Sequence, residues 1–323
     1  MSSPEDLVEW RAPLLVQIVN AAGIGDLLAQ GGRTPEELAE HTGWRPELLT
    51  RVLRALAPRG LFRTDDEGRW HLTEAGQVLR SDHPESVAAA RFSGFEVGGW
   101  TRMLRTLRTG ESSFEATFGT SFWDWLAAHP EDRARFDEKM RGRLDLALEM
   151  VAEYPWPETG RVVDVGGGTG TLLTRVLELR PGLRGVLFDV PETIAAARDR
   201  VRSSGVGDRC ELVPGSFFDA VPAGADRYVL SQVLHDWPDD DAVRILSNIS
   251  QVMAPTGRVL LLEGVVPADE DNPLALLDLH MLAMFGSGER SRHQWARLLT
   301  RAGLHLDRVV PGPWVSWVEA TRG

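Results

Sequence analysis

The stretch Val162-Val163-Asp164-Val165-Gly166-Gly167-Gly168-Thr169-Gly170-Thr171 constrains the fold of this chain more than any other. Apolar β-formers run into an acid and a cluster of glycines, and Leu172, Leu173, Val176 and Leu177 then recur at helical spacing. The pattern is a buried strand, a tight turn and a helix whose N-terminus opens beside the glycines. Free N–H groups and the positive end of that helix face a ligand, and the missing side chains let it come close, so this is a nucleotide-binding turn. A dinucleotide fingerprint fails in both registers, because its third glycine would be Thr171 counted from Gly166 or Leu173 counted from Gly168. A P-loop fails because no lysine follows the glycines. What remains is D-x-G-x-G-x-G, and an acid ahead of the glycines suits a ligand carrying an α-amino group better than one carrying a pyrophosphate.

That motif resembles the first motif of class I S-adenosylmethionine-dependent methyltransferases. Strands and helices alternate from Arg161 onward, which implies a parallel, doubly wound sheet with its ligand crevice at the carboxyl ends of the strands. The strand Gly185-Val186-Leu187-Phe188 ends at Asp189, about 20 residues beyond the turn, where a carboxylate reaches ribose hydroxyls. The strand Cys210-Glu211-Leu212-Val213 runs into Gly215-Ser216-Phe217-Phe218-Asp219. Ser216 can hydrogen-bond an adenine edge there, and Phe217 can pack on its face. Tyr228-Val229-Leu230 leads to Ser231-Gln232-Val233-Leu234-His235-Asp236-Trp237, after which Asp239, Asp240 and Asp241 open a helix. The helix start explains that acidic run, so no metal is assigned to it. His235 follows a strand on the same edge as the glycine turn, and a histidine accepts a proton near neutral pH.

Taken together, Leu234-His235-Asp236-Trp237, the glycine motif, Glu263 and Gly288-Glu289-Arg290 resemble the small-molecule O-methyltransferases that act on phenols, including caffeic-acid, hydroxyindole and polyketide O-methyltransferases. The resemblance covers nearly the whole chain, and the order and spacing of its motifs are its most specific part. It implies S-adenosyl-L-methionine as cofactor, contacted by Asp164, Gly166, Gly168, Asp189, Ser216, Phe217, Ser231 and Trp237. It makes His235 the general base for an aromatic hydroxyl, oriented and polarised by Glu263 and Glu289, with Met281 against the acceptor ring. A carboxylate on one imidazole nitrogen fixes the tautomer and leaves the other free for a proton. Two features depart from the family. Ser216 stands where similar enzymes often carry an acid, and the loop Phe285-Gly286-Ser287-Gly288 is shorter than usual, which favours Glu263 over Glu289 as the orienting group.

Before the nucleotide half, Leu7 to Leu28 is mostly apolar and reads as a buried helix leading into a short one. Thr34-Pro35-Glu36-Glu37 starts another helix, and Leu48, Leu49, Val52, Leu53 and Leu56 give the next its core positions. Leu61-Phe62-Arg63-Thr64 and Arg69-Trp70-His71-Leu72 flank the turn Asp65-Asp66-Glu67-Gly68, a hairpin. This is a winged helix. Arg45, Arg51, Arg54 and Arg59 invite a DNA-binding reading, but the wing is acidic and the net charge is −12, so dimerisation ranks above it. From Val87 to Met150 the pattern is helical and rich in aromatics, and Phe118, Phe122, Trp123 and Met140 are expected to join Met281 in lining a flat apolar acceptor pocket.

The fold expected is α/β: a Rossmann-like methyltransferase sheet with a C-terminal antiparallel hairpin, plus an N-terminal α-helical winged-helix dimerisation domain. The expected divisions are 1–85 for dimerisation, 86–157 for a helical connector contributing to the acceptor pocket, and 158–323 for cofactor binding and catalysis. A homodimer acting on an aromatic small molecule, a secondary metabolite such as a polyketide, is the expectation. No apolar run reaches the roughly 20 residues of a membrane span, and the start lacks the basic and apolar regions of a signal peptide, so a cytosolic protein is expected. Cys210, the lone cysteine, makes no intrachain disulfide. An alternative keeps the fold and cofactor for hydroxylation, decarboxylation or cyclisation; the intact His235 with Glu263 favours methylation.

Overall fold

The computed structural model describes residues 8–267 and 272–323, so the polar start of the chain, on which the leader-free reading rests, lies outside the described residues. The chain forms two compact units, Met1–Gly94 and Phe95–Gly323. Among the described residues no helix is long and apolar enough to cross a membrane.

The first unit holds α1 (Arg11–Ala21), α2 (Ile24–Ala29), α3 (Pro35–Thr42), α4 (Pro46–Leu56) and the antiparallel hairpin β1 (Phe62–Thr64) and β2 (Trp70–Leu72). Thr34 and Glu37 close a capping box at the start of α3, each side chain accepting the other's backbone N–H, with Pro35 fixing the first turn. Leu49, Leu53 and Leu56 of α4 meet Leu38, Phe62, Trp70 and Leu72 in the core. Leu48 does not: it is 45% exposed, because the inward stripe of α4 runs through positions 49, 53 and 56. Nor is α1 buried all round, since only Val19 and Asn20 are enclosed and Trp10 just ahead of it is 66% exposed. Helix, helix and hairpin make the expected winged helix.

The second unit opens with short helices α5 (Gly94–Gly99), α6 (Met103–Thr109), α7 (Ser113–Phe118) and α8 (Phe122–Ala128), then the long α9 (Pro130–Glu153). Prolines after α9 stop it, and β3 (Gly160–Val165) begins the sheet. Alternation follows through α10 (Thr171–Leu179), β4 (Leu183–Asp189), α11 (Pro191–Ser203), β5 (Cys210–Pro214), β6 (Arg227–Ser231), α12 (Asp239–Val252) and β7 (Arg258–Glu263). The short parallel pair β8 (Val265–Val266) and β9 (Arg290–Ser291) brackets α13 (Ala275–Phe285), and α14 (Arg292–Arg301) precedes β10 (Leu304–Pro311) and β11 (Ser316–Arg322).

The seven-stranded sheet has the order β10-β11-β7-β6-β3-β4-β5. Strands β3 to β7 are parallel, while β11 runs antiparallel to β7 and β10 antiparallel to β11, which is the expected closing hairpin. Alternate residues serve opposite faces. Val163, Val186, Tyr228 and Leu230 pack with Ile245, Ile249, Trp295 and Leu298 on one side, while Val162, Leu187, Val229 and Leu260 pack with Leu173, Val176 and Ile194 on the other. Both faces are therefore covered and the strands read as unbroken apolar runs. The chain leaves β3 toward β4 and returns across it to β6, so the topological switch falls between β3 and β6, where the carboxyl ends open a crevice.

Candidate active site

The glycine turn leaves β3 at this switch. Gly166, Gly168 and Gly170 have φ of +69°, +57° and +78°, a left-handed backbone that residues with a Cβ rarely adopt. Gly167, which spacing did not single out, is the tightest position: a Cβ there would stand 2.5 Å from the Asp164 carboxyl carbon and from a Leu187 methyl. Asp164 beneath it is 1% exposed, and neither carboxylate oxygen has a hydrogen-bond partner. Burial, helped by the nearby Asp189 charge, pushes its pKa up to about 7. A buried carboxylate with both oxygens unanswered, under a turn without side chains, fits a ligand that brings an ammonium group.

Asp189 ends β4 as expected and is already engaged. One oxygen accepts the Gly168 N–H at 2.9 Å and the other accepts the Val190 N–H at 2.7 Å. Burial holds its pKa up against those two donors. It therefore splints the glycine turn, and any ribose contact uses its remaining lone pairs. Ser216 Oγ accepts the Phe218 N–H at 3.2 Å, tightening the loop after β5. Phe217 and Phe218 stand edge-on to Trp237 at 5.8 and 4.7 Å between ring centres. Asn248 on α12 donates to the carbonyls of both phenylalanines at 2.8 and 3.1 Å. Its only signal in the sequence is a polar residue on a helix that packs on the sheet.

Strand β6 ends at Ser231, and the next residue, Gln232, is the one non-glycine among the described residues with a left-handed backbone, at φ +53°. Such a conformation costs about 1 kcal/mol and concentrates at functional sites. It turns the chain so that the Val233 and Leu234 N–H groups donate to Glu263 Oε1 at 3.0 and 2.8 Å. His235 then sits in the 3-10 turn Leu234–Asp236, 5% exposed. Its Nδ1 is 2.8 Å from Glu289 Oε1 and 3.8 Å from Glu263 Oε2, while Nε2 is 3.4 Å from Asp236 Oδ1. The carboxylate that meets the imidazole is thus Glu289, contrary to the preference drawn from loop length; Glu263 is drawn away by two backbone donors. An ionised carboxylate only accepts, so in the neutral imidazole Nδ1 carries the hydrogen and Nε2 is the basic nitrogen.

Burial pulls the His235 pKa down, but Asp236, Glu263 and Glu289 outweigh it and raise the value to about 10. Burial likewise raises Glu263. Glu263 Oε2 and Glu289 Oε2 are both enclosed without a hydrogen-bond partner. A histidine and two carboxylates this close could hold a cation, but backbone donors and the imidazole already occupy one oxygen of each acid. A buried imidazole between carboxylates is chemically able to hold and pass on a proton. Cys210, half-buried at the start of β5, has its thiol pushed up to about 11 by burial and stays protonated.

Of the expected wall residues, Phe118, Phe122 and Trp123 fall in one aromatic cluster built mainly from α5, α7, α8, α9 and α13, while Met140 and Met281 are not part of it. Phe122, 3% exposed, meets the rings of Phe95, Phe114, Trp123, Phe136 and Phe285 within 6 Å. Phe118 lies against Phe114 and Trp125, and a Cβ on Gly98 would stand 2.6 Å from its ring. Trp123 stacks on Phe285, and its indole N–H is buried without a partner. Met281 is buried on α13, and Met140 lies half-buried on α9. The wall adjoins the histidine turn: two residues after Phe285, Ser287 Oγ is 2.7 Å from the His235 carbonyl. A concavity of about 790 Å³ at the amino ends of β3 to β5 lies on the opposite edge and meets none of these groups.

Known proteins share this plan. The O-methyltransferase domain family matches residues 100–305, and the O-methyltransferase dimerisation domain family matches residues 14–82. A phenazine O-methyltransferase of Lysobacter antibioticus is 39% identical over 303 residues, spanning 92% of this chain and 89% of that one. An 8-amino-8-demethylriboflavin N,N-dimethyltransferase of Streptomyces davaonensis is 36% identical over 326 residues, 98% of this chain and 93% of that one. Among solved structures, an O-methyltransferase from neocarzinostatin biosynthesis, in complex with S-adenosylmethionine and 2-hydroxy-5-methyl naphthoic acid, superposes with a TM-score of 0.90 at 36% identity, covering 100% of this chain and 99% of that one.

Proposed function

The chain belongs to the O-methyltransferase family, and from that premise we propose that it transfers the methyl group of S-adenosylmethionine to a phenolic hydroxyl of an aromatic secondary metabolite such as a polyketide, as a cytosolic homodimer. The observation that carries the reading is the buried pair His235 Nδ1 and Glu289 Oε1, 2.8 Å apart at the crevice edge of the sheet. The naphthoic acid bound to the solved relative, and the aromatic cluster beside the histidine turn, support an aromatic acceptor.

The cofactor supplies an electrophilic methyl group on a cationic sulfur. Asp164 is the residue suited to its ammonium group, the left-handed glycines leave its path clear, and Asp189 with Ser216 and Phe217 would face its nucleoside part. A phenol has a pKa near 10, so only about one molecule in a thousand is phenolate at neutral pH. His235 Nε2 takes the hydroxyl proton, and Glu289 stabilises the imidazolium that forms. General base assistance of this kind contributes about 10²–10⁴-fold.

Replacing His235 by Ala should retain cofactor affinity and lose most methyl transfer, read as S-adenosylhomocysteine release from a panel of phenolic acceptors. An unchanged kcat sinks the base assignment. Aromatic amines belong in the same panel, because one relative methylates nitrogen. Exposed Trp10 and Leu48 in the first unit, which matches the dimerisation family, support the homodimer. Sedimentation as a monomer at micromolar concentration would refute it.

A further inference from the structure

The carbonyl side of the turn that carries His235 is gripped by the segment 287–290. Ser287 Oγ lies 2.7 Å from the His235 carbonyl and 2.9 Å from that of Trp237. Arg290 donates from one terminal nitrogen to the Leu234 carbonyl and from the other to the Trp237 carbonyl, both at 2.8 Å, and from Nε to Asp239 Oδ1 at 2.9 Å. Between them stands Glu289, whose carboxylate meets the imidazole. Residues 287–290 thus hold both the backbone and the ring of His235.

Arg290 is an expensive way to fill this space. It is 4% exposed, with its guanidinium 5.2 Å from the centre of the fully buried Trp295 ring. Its acidic partner Asp239 has a side chain 58% exposed, and a pair in contact with solvent returns little against the desolvation of a buried cation. What the guanidinium adds is a planar fork that satisfies three fixed acceptors at once. Those acceptors need fixing, because an isolated 3-10 turn has little stability of its own and this one is entered through the strained Gln232. Glu263 anchors the entry side by accepting two N–H groups; Ser287 and Arg290 anchor the carbonyl side.

We propose that Ser287 and Arg290 are positioning residues for methyl transfer, holding the His235 turn in register with the Glu289 that orients its ring. The proposal rests on His235 acting as the base. A displacement of about 1 Å at a reacting group can cost about 10²-fold in rate, which sets the scale of the expected effect.

The test compares Ser287→Ala, Ser287→Thr, Arg290→Lys and His235→Ala for kcat, acceptor KM, S-adenosylhomocysteine affinity, melting temperature and the pH dependence of kcat. Arg290→Lys keeps the charge and loses the fork, so kcat should fall about 10²-fold with cofactor affinity unchanged and the pH inflection displaced. Ser287→Ala should lose kcat in the same way, and Ser287→Thr, which keeps the hydroxyl, should restore it. If Arg290→Lys does not fold, the Ser287 pair decides. Parent-like kcat in both Ser287→Ala and Arg290→Lys, while His235→Ala is inactive, overturns the clamp and leaves the base intact. Parallel losses of kcat, cofactor affinity and melting temperature also overturn it, as a structural role alone. Full activity in His235→Ala overturns the base assignment and the clamp with it.

Discussion

Exchanging Glu289 for Gln tests the proton arrangement most directly. The 2.8 Å contact to His235 Nδ1 is buried and charge-assisted, and such a bond contributes about 1.5–3 kcal/mol against about 0.5–1.5 for a neutral one. The exchange therefore removes roughly 1–1.5 kcal/mol from the imidazolium, the form in which His235 stands once it has taken the proton. Each 1.4 kcal/mol is about tenfold in rate and about one unit in pKa. The plateau of kcat at high pH should fall about tenfold, and the inflection in kcat/KM should move down by about one unit from the raised value of the parent. At neutral pH the two effects oppose each other, since the weaker base is more often unprotonated, and a single measurement there would show little change. The assay is S-adenosylhomocysteine release from pH 6 to 10.5. A plateau lost without any movement of the inflection would refute the reasoning, because Glu289 would then act elsewhere than on the imidazole.

Other consequences follow from the same site. Glu263→Gln should lower the plateau less than Glu289→Gln, because a glutamine carbonyl still accepts the Val233 and Leu234 N–H groups; a larger loss would reverse the assignment of the two acids. Asp164→Asn removes a buried carboxyl whose pKa has risen from 3.8 to about 7, which destabilises the fold by up to roughly 4 kcal/mol above pH 7 and by nothing below pH 3.8, and replaces it with an unpaired buried amide that costs about 1–3 kcal/mol at either pH. The ligand-free variant should therefore melt higher than the parent at pH 8 but not at pH 4, and bind cofactor more weakly; equal melting gains at both pH values would contradict it. Gly167→Ala should weaken cofactor binding and cost about 1–3 kcal/mol, since its Cβ meets Asp164 and Leu187 at 2.5 Å; unchanged calorimetric affinity would count against the turn as the cofactor floor. Because the folded pKa of His235 exceeds its ordinary 6.5, its protonation stabilises fully below pH 6.5 and is lost as pH rises through about 10. His235→Asn should flatten the melting curve against pH across that window, and an unflattened curve would deny the raised value.

The strand, turn and helix from Val162 to Leu177, the parallel sheet and its closing hairpin were legible because each is a local pattern of apolar period and glycine placement. The edge on which His235 lies was legible too, since parallel strands put their loops on one side. What was hidden was who holds whom. Glu263 ends a strand as expected, but the strained Gln232 turns two backbone N–H groups onto it, and backbone donors leave no mark in a sequence. Asp189 reached its expected place and was found splinting the turn through Gly168. Leu48 fits an apolar stripe as well as Leu49 does, and only the packing of α4 chose between them. Ser287 and Arg290 act on carbonyls, which every residue possesses, so nothing in their neighbours' identities announced the contact.

The raised basicity of His235 has a chemical rationale in the proposed reaction. In water a phenol at pH 7 gives up its proton about once in a thousand molecules, and a base with a pKa near 6.5 would leave the transfer uphill by roughly three to four powers of ten. Three carboxylates around one buried imidazole bring its pKa to about 10, close to that of the phenol, so that inside the site phenol with imidazole and phenolate with imidazolium become nearly equal in free energy. The same carboxylates hold the free enzyme protonated at neutral pH, so the gain in driving force is set against the fraction of active base. Asp236 at 3.4 Å, Glu263 at 3.8 Å and Glu289 at 2.8 Å, with burial opposing all three, set that compromise. A variant that lengthens any of these distances should lower the high-pH plateau and the pH inflection together, which a purely structural set of acids would not do.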